Sequence, residues 1–251
     1  MGADNFALAG QTALVTGGAR RVGAQIVRHL HAAGATVAIH CHRSGAAAAA
    51  LAAELNAQRA GSALVCQADV LQVAALRNLV ADVAARAGGL SILVNNASTF
   101  YPTPLATVTE AQWRDLMGTN LAAPLFLAQA AAAELRRAHG LIVNIADIHG
   151  LRPLPDYLVY STAKAALIHL TRGLARELAP EVRVNAIAPG PVLWPESGLD
   201  AAQKQEIISR TLLQRAGSPD DVARAVRFFA TDAPFVTGQV LSVDGGRSQR
   251  W

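Results

Sequence analysis

Short apolar runs alternate with longer helical stretches along almost the whole chain, and this alternation restricts the possible folds. The apolar runs cover residues 12–16, 36–40, 63–67, 91–95, 141–146, 182–187 and 239–243. Their apolar residues do not alternate strictly with polar ones, which is typical of parallel strands covered on both faces. Stretches with helical spacing include 24–33, 46–58, 74–87, 111–137 and 159–178. The pattern predicts an α/β fold, a Rossmann-type doubly wound parallel sheet of about seven strands flanked by helices.

Chain length and composition favour a single domain over residues 1–251. With 251 residues and 52% hydrophobic content, the chain can bury a large core, and doubly wound sheets of this size commonly form one unit. The least regular part is 191–205, where Pro191, Pro195 and Gly198 interrupt the pattern before another helix begins. A loop after a strand often covers a ligand crevice, so this segment is the expected substrate loop.

Charge and cysteine content argue against several classes of protein. The net charge of +4 comes from scattered residues and not from a basic block, so we expect no nucleic-acid surface. Cys41 and Cys66 lack the spacing of metal ligands, so we expect no metal site and a reducing, cytoplasmic location. Because no basic leader or run of about 18 uninterrupted apolar residues is present, we expect neither export nor membrane insertion.

A glycine-rich turn follows the first predicted strand. Residues 16–23 read TGGARRVG, and a helix follows them. In this order, backbone N–H groups approach a pyrophosphate at the N-terminus of the helix. A glycine cluster alone also fits a tight strand-to-helix turn. The predicted cofactor contacts in this turn are Gly17, Arg20, Arg21, Val22 and Gly23.

The residues after the second predicted strand bear on the choice of dinucleotide. An acid there would hydrogen-bond the ribose 2′-hydroxyl and repel a 2′-phosphate, but this chain has His40, His42, Arg43 and Ser44. Cationic and hydroxyl donors therefore surround the expected adenosine ribose, which favours NADPH over NADH. The alternative is that Arg43 begins a solvated helix and the histidines pack at the sheet edge.

Two further segments complete the predicted cofactor crevice. Asp69 and Val70 follow the third strand, where an adenine amino group would lie, although an aspartate there equally fits a turn or a helix cap. Asn96, Ala97 and Ser98 follow the fourth strand, beside the expected ribose and nicotinamide, although this segment also fits a turn or a helix cap.

Tyr160 and Lys164 are four residues apart in a predicted helix, so their polar ends can converge on one face. A neighbouring ammonium would lower the pKa of a tyrosine from its usual value of about 10. Lys164 can also hold the nicotinamide ribose. Such a pair is common on half-exposed helices, but here Asp147 lies thirteen residues before Tyr160, at the carboxyl end of a strand. Sites in open sheets form at that end.

Together, TGGARRVG, NNAS, YSTAK and the Pro189-Gly190 pair resemble the short-chain dehydrogenase/reductase family over nearly the whole chain. The resemblance implies an oxidoreductase with Asn120, Tyr160 and Lys164 as catalytic residues. It implies that Asn120 holds a helix bend and a water in a proton relay. It also implies cofactor contacts from Tyr160, Lys164, Pro189 and Gly190.

Two departures from the general family pattern point to a subgroup. Arg21 replaces the usual middle glycine of the turn, and Asp147 replaces the usual serine thirteen residues before the tyrosine. Both are shared with pteridine reductases, which the chain also resembles through HCHRS at 40–44 and NNASTFYPTPL at 95–105. The resemblance implies NADPH-dependent reduction of a C=N bond in a pterin or dihydrofolate-like substrate.

An aspartate suits an imine better than a carbonyl. A serine stabilises a carbonyl oxygen, whereas Asp147 would repel the developing alkoxide. Reducing a C=N bond needs hydride and a proton on nitrogen, and an Asp–Tyr pair can supply or relay that proton. Alternatively, Asp147 hydrogen-bonds the amino and ring N–H groups of a pterin. Both roles are open from the sequence.

The expected substrate pocket adds four residues to this pair. The ring of Phe100 can stack on a flat heteroaromatic substrate, and Ser98 can hydrogen-bond its edge. Arg21 either reaches a polar atom of the pterin or lies on the surface, and Trp194 either closes over the substrate or packs in a small satellite core. The predicted substrate contacts are Arg21, Ser98, Phe100, Asp147, Tyr160 and Trp194. The sequence leaves open whether His149, Arg152, Asp156 or Glu196 enters the site.

Two other functions remain possible. A carbonyl or alcohol dehydrogenase, such as a 3-oxoacyl reductase, would use the same cofactor motifs, but Asp147 would be unusual there. A nucleotide-sensing or scaffold protein would keep the fold without turnover, although the intact Tyr160/Lys164 pair weighs against it. Whichever reaction it catalyses, the family resemblance implies a homotetramer in which the tail at 247–251 meets a neighbouring subunit.

Overall fold

Seven parallel strands form one sheet in the computed structural model, which describes residues 6–194 and 200–250. The strands are β1 (Thr12–Val15), β2 (Thr36–Cys41), β3 (Ala63–Gln67), β4 (Ile92–Asn95), β5 (Leu141–Ile145), β6 (Arg183–Pro189) and β7 (Val240–Val243). Their order across the sheet is β3-β2-β1-β4-β5-β6-β7, with every neighbouring pair parallel. The predicted doubly wound parallel sheet is confirmed.

Helices cover both faces of this sheet. They are α1 (Arg21–Ala32), α2 (Gly45–Gln58), α3 (Val73–Ala87), α4 (Glu110–Met117), α5 (Ala123–Arg137), α6 (Leu158–Leu178), α7 (Ala201–Ser209) and α8 (Pro219–Thr231). One core lies between the sheet and α1, α2 and α8, and the other lies between the sheet and α3, α5 and α6. Side chains of successive strand residues point alternately into the two cores: Ala13 and Val15 face one core and Leu14 faces the other. This is why the strands are apolar throughout.

The strand order reverses at β1, which pairs with β2 on one side and with β4 on the other. In open α/β sheets, ligands bind outside the carboxyl ends of the strands at such a switch point. The glycine turn after β1 and the polar segment after β4 both lie at this point. The fold therefore places the predicted cofactor motifs beside one crevice.

Two predicted segments need correction. The helix predicted over 111–137 is interrupted by a five-residue π-helical turn, Gly118–Ala122, which separates α4 from α5. The irregular segment predicted over 191–205 is shorter at its C-terminal side, because α7 begins at Ala201 with a capping box between Asp200 and Gln203. That capping pattern was present in the sequence and could have been recognised.

The segment Glu110–Arg137 is long and apolar enough to cross a bilayer by length and composition alone, and 44% of its most apolar window is buried within the fold. Leu127, Ala131 and Leu135 from this segment are buried in the core beneath α3 and α5. Packing in this core accounts for its apolar face, since the buried helices of soluble proteins have the same character.

Candidate active site

The glycine turn joins β1 to α1 through a backbone path that requires small residues. Gly17 has a φ of 60°, and a Cβ on Gly23 would overlap the carbonyl oxygen of Gly17. Arg21 adopts a φ of 54°, a left-handed conformation that costs an L-residue about 1–2 kcal/mol. Such strain at a non-glycine residue is typical of functional sites. Within the described residues, no side chain caps the start of α1, so its first N–H groups suit an anion.

His40 lies beneath this turn, and its predicted contact with the cofactor needs correction. The residue is only 1% exposed. Its Nδ1 lies 3.2 Å from the amide nitrogen of Gly17, and its Nε2 lies 3.2 Å from the carbonyl oxygen of Ala68. Burial lowers the pKa of His40. A neutral ring held between two backbone groups supports the turn and does not donate to a 2′-phosphate.

The residues that follow His40 reach the surface at the start of α2. His42 and Arg43 are exposed, and Ser44 is the N-cap residue of this 14-residue helix. Cationic side chains and the positive end of a helix dipole both favour a phosphate group. The location agrees with the predicted 2′-phosphate site, and the contact itself stays a prediction.

Several polar groups that the sequence assigned to the cofactor also hold the crevice together, and their contacts with the cofactor stay predictions. Asn96 Nδ2 donates to the carbonyl oxygen of Thr16 at 2.9 Å. The Thr16 hydroxyl accepts the N–H groups of Asn96 and Ala97 at 2.9 and 3.0 Å. These bonds join the turn after β1 to the segment after β4. Asp69 Oδ1 accepts the N–H of the second residue after it at 3.0 Å, which is the alternative turn role, so adenine contact by Asp69 or Val70 stays a prediction.

Asp147, Tyr160 and Lys164 converge beside the carboxyl end of β5. The Tyr160 hydroxyl donates to Asp147 Oδ2 at 2.7 Å. Lys164 Nζ donates to the carbonyl oxygen of Ile145 at 2.8 Å and lies 5.7 Å from the centre of the Tyr160 ring. Tyr160 and Lys164 are both buried. The structure therefore brings together the three residues that the sequence grouped by spacing.

The ionisation of this group differs from the prediction. Burial, and then the charge and hydrogen bond of Asp147, raise the pKa of Tyr160 well above its usual value, while the Ser98 hydroxyl acts in the opposite direction. The expected lowering of the Tyr160 pKa by Lys164 is wrong, because burial and the Asp147 carboxylate both disfavour the phenolate. Burial lowers the pKa of Lys164 to about 8, and the charge of Asp147 opposes this shift.

Asn120 lies in the π-helical turn, in agreement with the bend that the family resemblance implies. Its Nδ2 donates to the carbonyl oxygens of Leu116 and Thr99 at 2.9 and 3.0 Å. Its Oδ1 accepts from the Ser98 hydroxyl at 2.6 Å. π-Helical turns often occur at functional sites. Asn120 thus orients the segment after β4, and its role in a water relay stays a prediction.

Phe100 forms an aromatic cluster with two tyrosines. Its ring stacks on Tyr157 with a centroid distance of 4.4 Å and an interplanar angle of 17°. It meets Tyr160 nearly edge-on, at 4.7 Å and 78°. Phe100 is 42% exposed, so part of its ring remains open to a planar ligand. The sequence interpretation missed Tyr157, although its position three residues before Tyr160 indicated a shared face.

Thr103 joins the loop of Phe100 to the start of α6, and the sequence interpretation did not single it out. It is fully buried. Its N–H donates to the carbonyl oxygen of Asp156 at 2.5 Å, and its hydroxyl accepts the N–H of Val159 at 3.3 Å. Tyr101 lies two residues before Thr103 in the same loop. Its hydroxyl donates to the carboxylate of Asp115 on α4 at 2.8 Å. These three hydrogen bonds restrain the position of Phe100.

The remaining predicted residues lie around this centre. Arg21 Nη2 donates to the carbonyl oxygen of Trp194 at 3.1 Å, which connects the glycine turn to the segment after β6. Pro189 ends β6, and a Cβ on Gly190 would meet Asp244 at 2.6 Å. Closure of Trp194 over a substrate stays a prediction.

The four polar residues that the sequence left open have different positions. The backbone N–H of His149 donates to Asp147 Oδ1 at 2.8 Å. Arg152 and Asp156 are exposed. Glu196, with the rest of 195–199, lies outside the described residues.

Comparisons with known proteins find relatives over nearly the whole chain. A family model described as enoyl-(acyl carrier protein) reductase matches residues 17–248. The 4-formylbenzenesulfonate dehydrogenase of Comamonas testosteroni is 42% identical, with 95% of this chain and 98% of that protein covered. Pteridine reductase 1 of Leishmania tarentolae is 38% identical, with coverages of 94% and 96%.

A solved structure has the same fold. The blue fluorescent protein from a metagenomic library, in complex with NADPH, superimposes with a TM-score of 0.90 and 36% identity, over 96% of this chain and 98% of that one. The family match, the two relatives and the seven-stranded parallel sheet all indicate the same family of oxidoreductases. The chain belongs to the short-chain dehydrogenase/reductase family of oxidoreductases.

Proposed function

We propose that this oxidoreductase is an NADPH-dependent pteridine reductase, which reduces a C=N bond of a pterin or dihydrofolate-like substrate. The observation that carries the proposal is the 2.7 Å hydrogen bond from Tyr160 to Asp147. It places a carboxylate, where the general family pattern has a serine, in direct contact with the proton-carrying hydroxyl.

The crevice at the switch point fits NADPH. The backbone of Gly17 and Gly23 leaves no room for side chains, and the first N–H groups of α1 suit a pyrophosphate. The exposed His42 and Arg43 suit a 2′-phosphate. A relative with the same fold was solved with NADPH. When bound, NADPH supplies a hydride, and the protein positions the substrate and provides the proton.

Asp147 and Tyr160 hold the proton that the substrate nitrogen requires. When the carbon of the C=N bond accepts a hydride, the nitrogen accepts a proton, and the double bond becomes a single C–N bond. The Tyr160 hydroxyl carries a proton at neutral pH and can donate it as an acid, but its raised pKa opposes the loss of that proton. A phenolate beside Asp147 would be unfavourable, so Asp147 either relays a replacement proton or fixes the amino group of the substrate. Lys164 adds a buried positive charge that offsets the carboxylate.

Phe100 and Ser98 complete the pocket that we propose for the substrate. The stack on Tyr157 covers part of the Phe100 ring, and its exposed part can receive a planar pterin. Ser98 is exposed beside it and is held by Asn120. An aromatic platform next to a carboxylate suits a flat ring that carries amino and N–H donors.

The alternative is a short-chain carbonyl or alcohol dehydrogenase, such as a 3-oxoacyl reductase. One observation favours it: the relative at 42% identity is named as a dehydrogenase of 4-formylbenzenesulfonate, which carries an aldehyde. Against it, the carboxylate of Asp147 lies 2.7 Å from the Tyr160 hydroxyl, where it would repel an alkoxide forming beside that group.

The deciding experiment follows NADPH oxidation by its nicotinamide absorbance. Dihydrobiopterin and dihydrofolate are compared with a panel of ketones, 4-formylbenzenesulfonate and an acetoacetyl thioester. Turnover confined to the pterins would support the proposal. Turnover confined to the carbonyl compounds would exclude a pteridine reductase but leave the assignment to the short-chain dehydrogenase/reductase family intact. Tight NADPH binding without turnover would favour a sensing role.

We also propose that the enzyme is a homotetramer. Phe228 and Phe235 are exposed, and Leu241 is exposed on β7, which is an edge strand. Exposed apolar side chains next to an open sheet edge favour association between copies. Light scattering should give the mass of four chains, and a monomeric mass would contradict the proposal.

A further inference from the structure

Two consecutive amides of the glycine turn are held by one residue, His40. Its carbonyl oxygen accepts the N–H of Gly18 at 2.9 Å. Its Nδ1 accepts the N–H of Gly17 at 3.2 Å, and its Nε2 donates to the carbonyl oxygen of Ala68 at 3.2 Å. His40 thus connects the turn after β1 with the segment after β3. Both segments border the crevice proposed for NADPH.

The two ring partners of His40 determine its protonation state. The Gly17 amide can only donate and the Ala68 carbonyl can only accept. Nδ1 must therefore be free of a proton while Nε2 carries one, which is the neutral form of imidazole. A second proton on Nδ1 would face the Gly17 N–H, and this amide would lose its acceptor in a place where His40 is only 1% exposed. A buried donor without an acceptor is unfavourable.

The surroundings of His40 favour this neutral form. Burial lowers the pKa of His40 most, the hydrogen bond to Ala68 raises it, and the charge of His42 lowers it. The ionisable groups on the segments packed around the ring are Arg20, Arg21, His42, Cys66 and Asp69. Among them, Asp69 carries a negative charge, and its Oδ1 is taken by its own turn.

We propose that His40 is a positioning residue for NADPH: its neutral ring holds the glycine turn in the shape that receives the pyrophosphate, and protonation of the ring releases the turn. The inference rests on the proposed cofactor. In this proposal, His40 affects NADPH binding indirectly, by holding Gly17, and does not contact the cofactor itself. Acid should therefore weaken NADPH binding through a group that does not touch NADPH.

The direction of the pH effect follows from the hydrogen bonds. As the pH falls below about 6.5 and through the lowered pKa of His40, Nδ1 gains a proton and Gly17 loses its acceptor. The affinity for NADPH should decrease over this range. The 2′-phosphate itself titrates at about pH 6, so its own contribution must be separated by comparing variants with the same ligand.

The test is the dissociation constant of NADPH for the full chain, measured by calorimetry between about pH 5 and about pH 8. His40→Asn keeps an acceptor near the Nδ1 position but does not titrate, so it should bind NADPH nearly as well as wild type at the higher pH. At the lower pH, wild type should lose more affinity for NADPH than this variant. His40→Leu removes the acceptor and should weaken binding at every pH.

His31→Asn is the matched control. His31 is also buried, its Nε2 lies 2.7 Å from the Ser62 hydroxyl, and burial lowers its pKa. It lies at the opposite end of α1 from the glycine turn, so its substitution should leave the wild-type pH dependence of NADPH binding unchanged.

Two outcomes would contradict different statements. If wild type and His40→Asn lose NADPH affinity equally in acid, His40 does not position the turn, but the protein still binds NADPH. If wild type does not bind NADPH at any pH, the proposed cofactor is wrong. Should His40→Leu fail to fold, the comparison of wild type with His40→Asn still decides the matter.

Discussion

The hydroxyl of Tyr160 donates a 2.7 Å hydrogen bond to Oδ2 of Asp147. Tyr160 lies on α6 and Asp147 follows β5, so the packing of this helix beside the sheet sets the distance. Lys164, one turn further along α6, is buried next to the pair. The proton between the two oxygens lies in a partly buried site, where its position responds to each neighbouring charge.

Tyr160→Phe should lower kcat by at least about a hundredfold and leave the dissociation constant of NADPH nearly unchanged. The substitution removes the proton-carrying hydroxyl but keeps the ring that contacts Phe100. Steady-state turnover and NADPH titration measure the two effects separately. A variant that retains wild-type turnover would exclude Tyr160 as the acid.

Asp147→Asn should lower the pKa of Tyr160, because it removes a charge that raises this pKa and keeps a hydrogen-bond acceptor of similar shape. Ultraviolet titration of the phenolate measures the shift. Pterin reduction should fall in the same variant, since an amide does not relay a proton. Asp147→Ser should gain activity on ketones. Pterin turnover that stays unchanged in both variants would contradict the role of the carboxylate.

Turnover should decline as the pH rises through about 8, where Lys164 loses its proton. Burial lowers this pKa, so the ammonium is present below that pH and is lost above it. Without the ammonium, Lys164 no longer offsets the charge of Asp147 beside the reacting proton. Lys164→Arg keeps its charge over the whole range. Its residual activity should lack the alkaline decline, and a decline that persists would assign the effect to another group.

Arg43→Ala should weaken NADPH binding by about tenfold or more and change NADH binding little, since only NADPH carries the 2′-phosphate. The dissociation constants of both cofactors provide the test. Arg28→Ala is a suitable control, because Arg28 is paired with Glu54 on α2 at 2.7 Å on the surface. Equal losses for NADPH and NADH would contradict a contact between Arg43 and the phosphate.

Thr103→Val should raise the substrate KM more than it lowers kcat. The substitution leaves the N–H of Val159 without its acceptor, at a cost of about 1–3 kcal/mol, and loosens the loop that carries Phe100. Thr103→Ser keeps the hydroxyl and should restore the wild-type KM. A Thr103→Val enzyme with lower thermal stability but unchanged KM would show that Thr103 supports only the fold.

Local patterns in the sequence were sufficient to predict the seven strands, the glycine turn and the shared face of Tyr160 and Lys164. Apolar runs covered on both sides indicate parallel strands, and a separation of four residues places two side chains on one face of a helix. The same local reasoning located Asp147 at a strand end. The order of elements and the edge of the sheet that carries the site are therefore properties of the sequence itself.

Only the tertiary structure decided which partner each polar group has. His40 was expected beside a phosphate but is buried under Gly17, and the side chain of Asn96 joins two strand ends. The pKa of Tyr160 was expected to fall and instead rises. Burial and hydrogen-bond geometry depend on residues far apart in the chain, and the stability of a charge depends on both. Local spacing carries no information about either quantity.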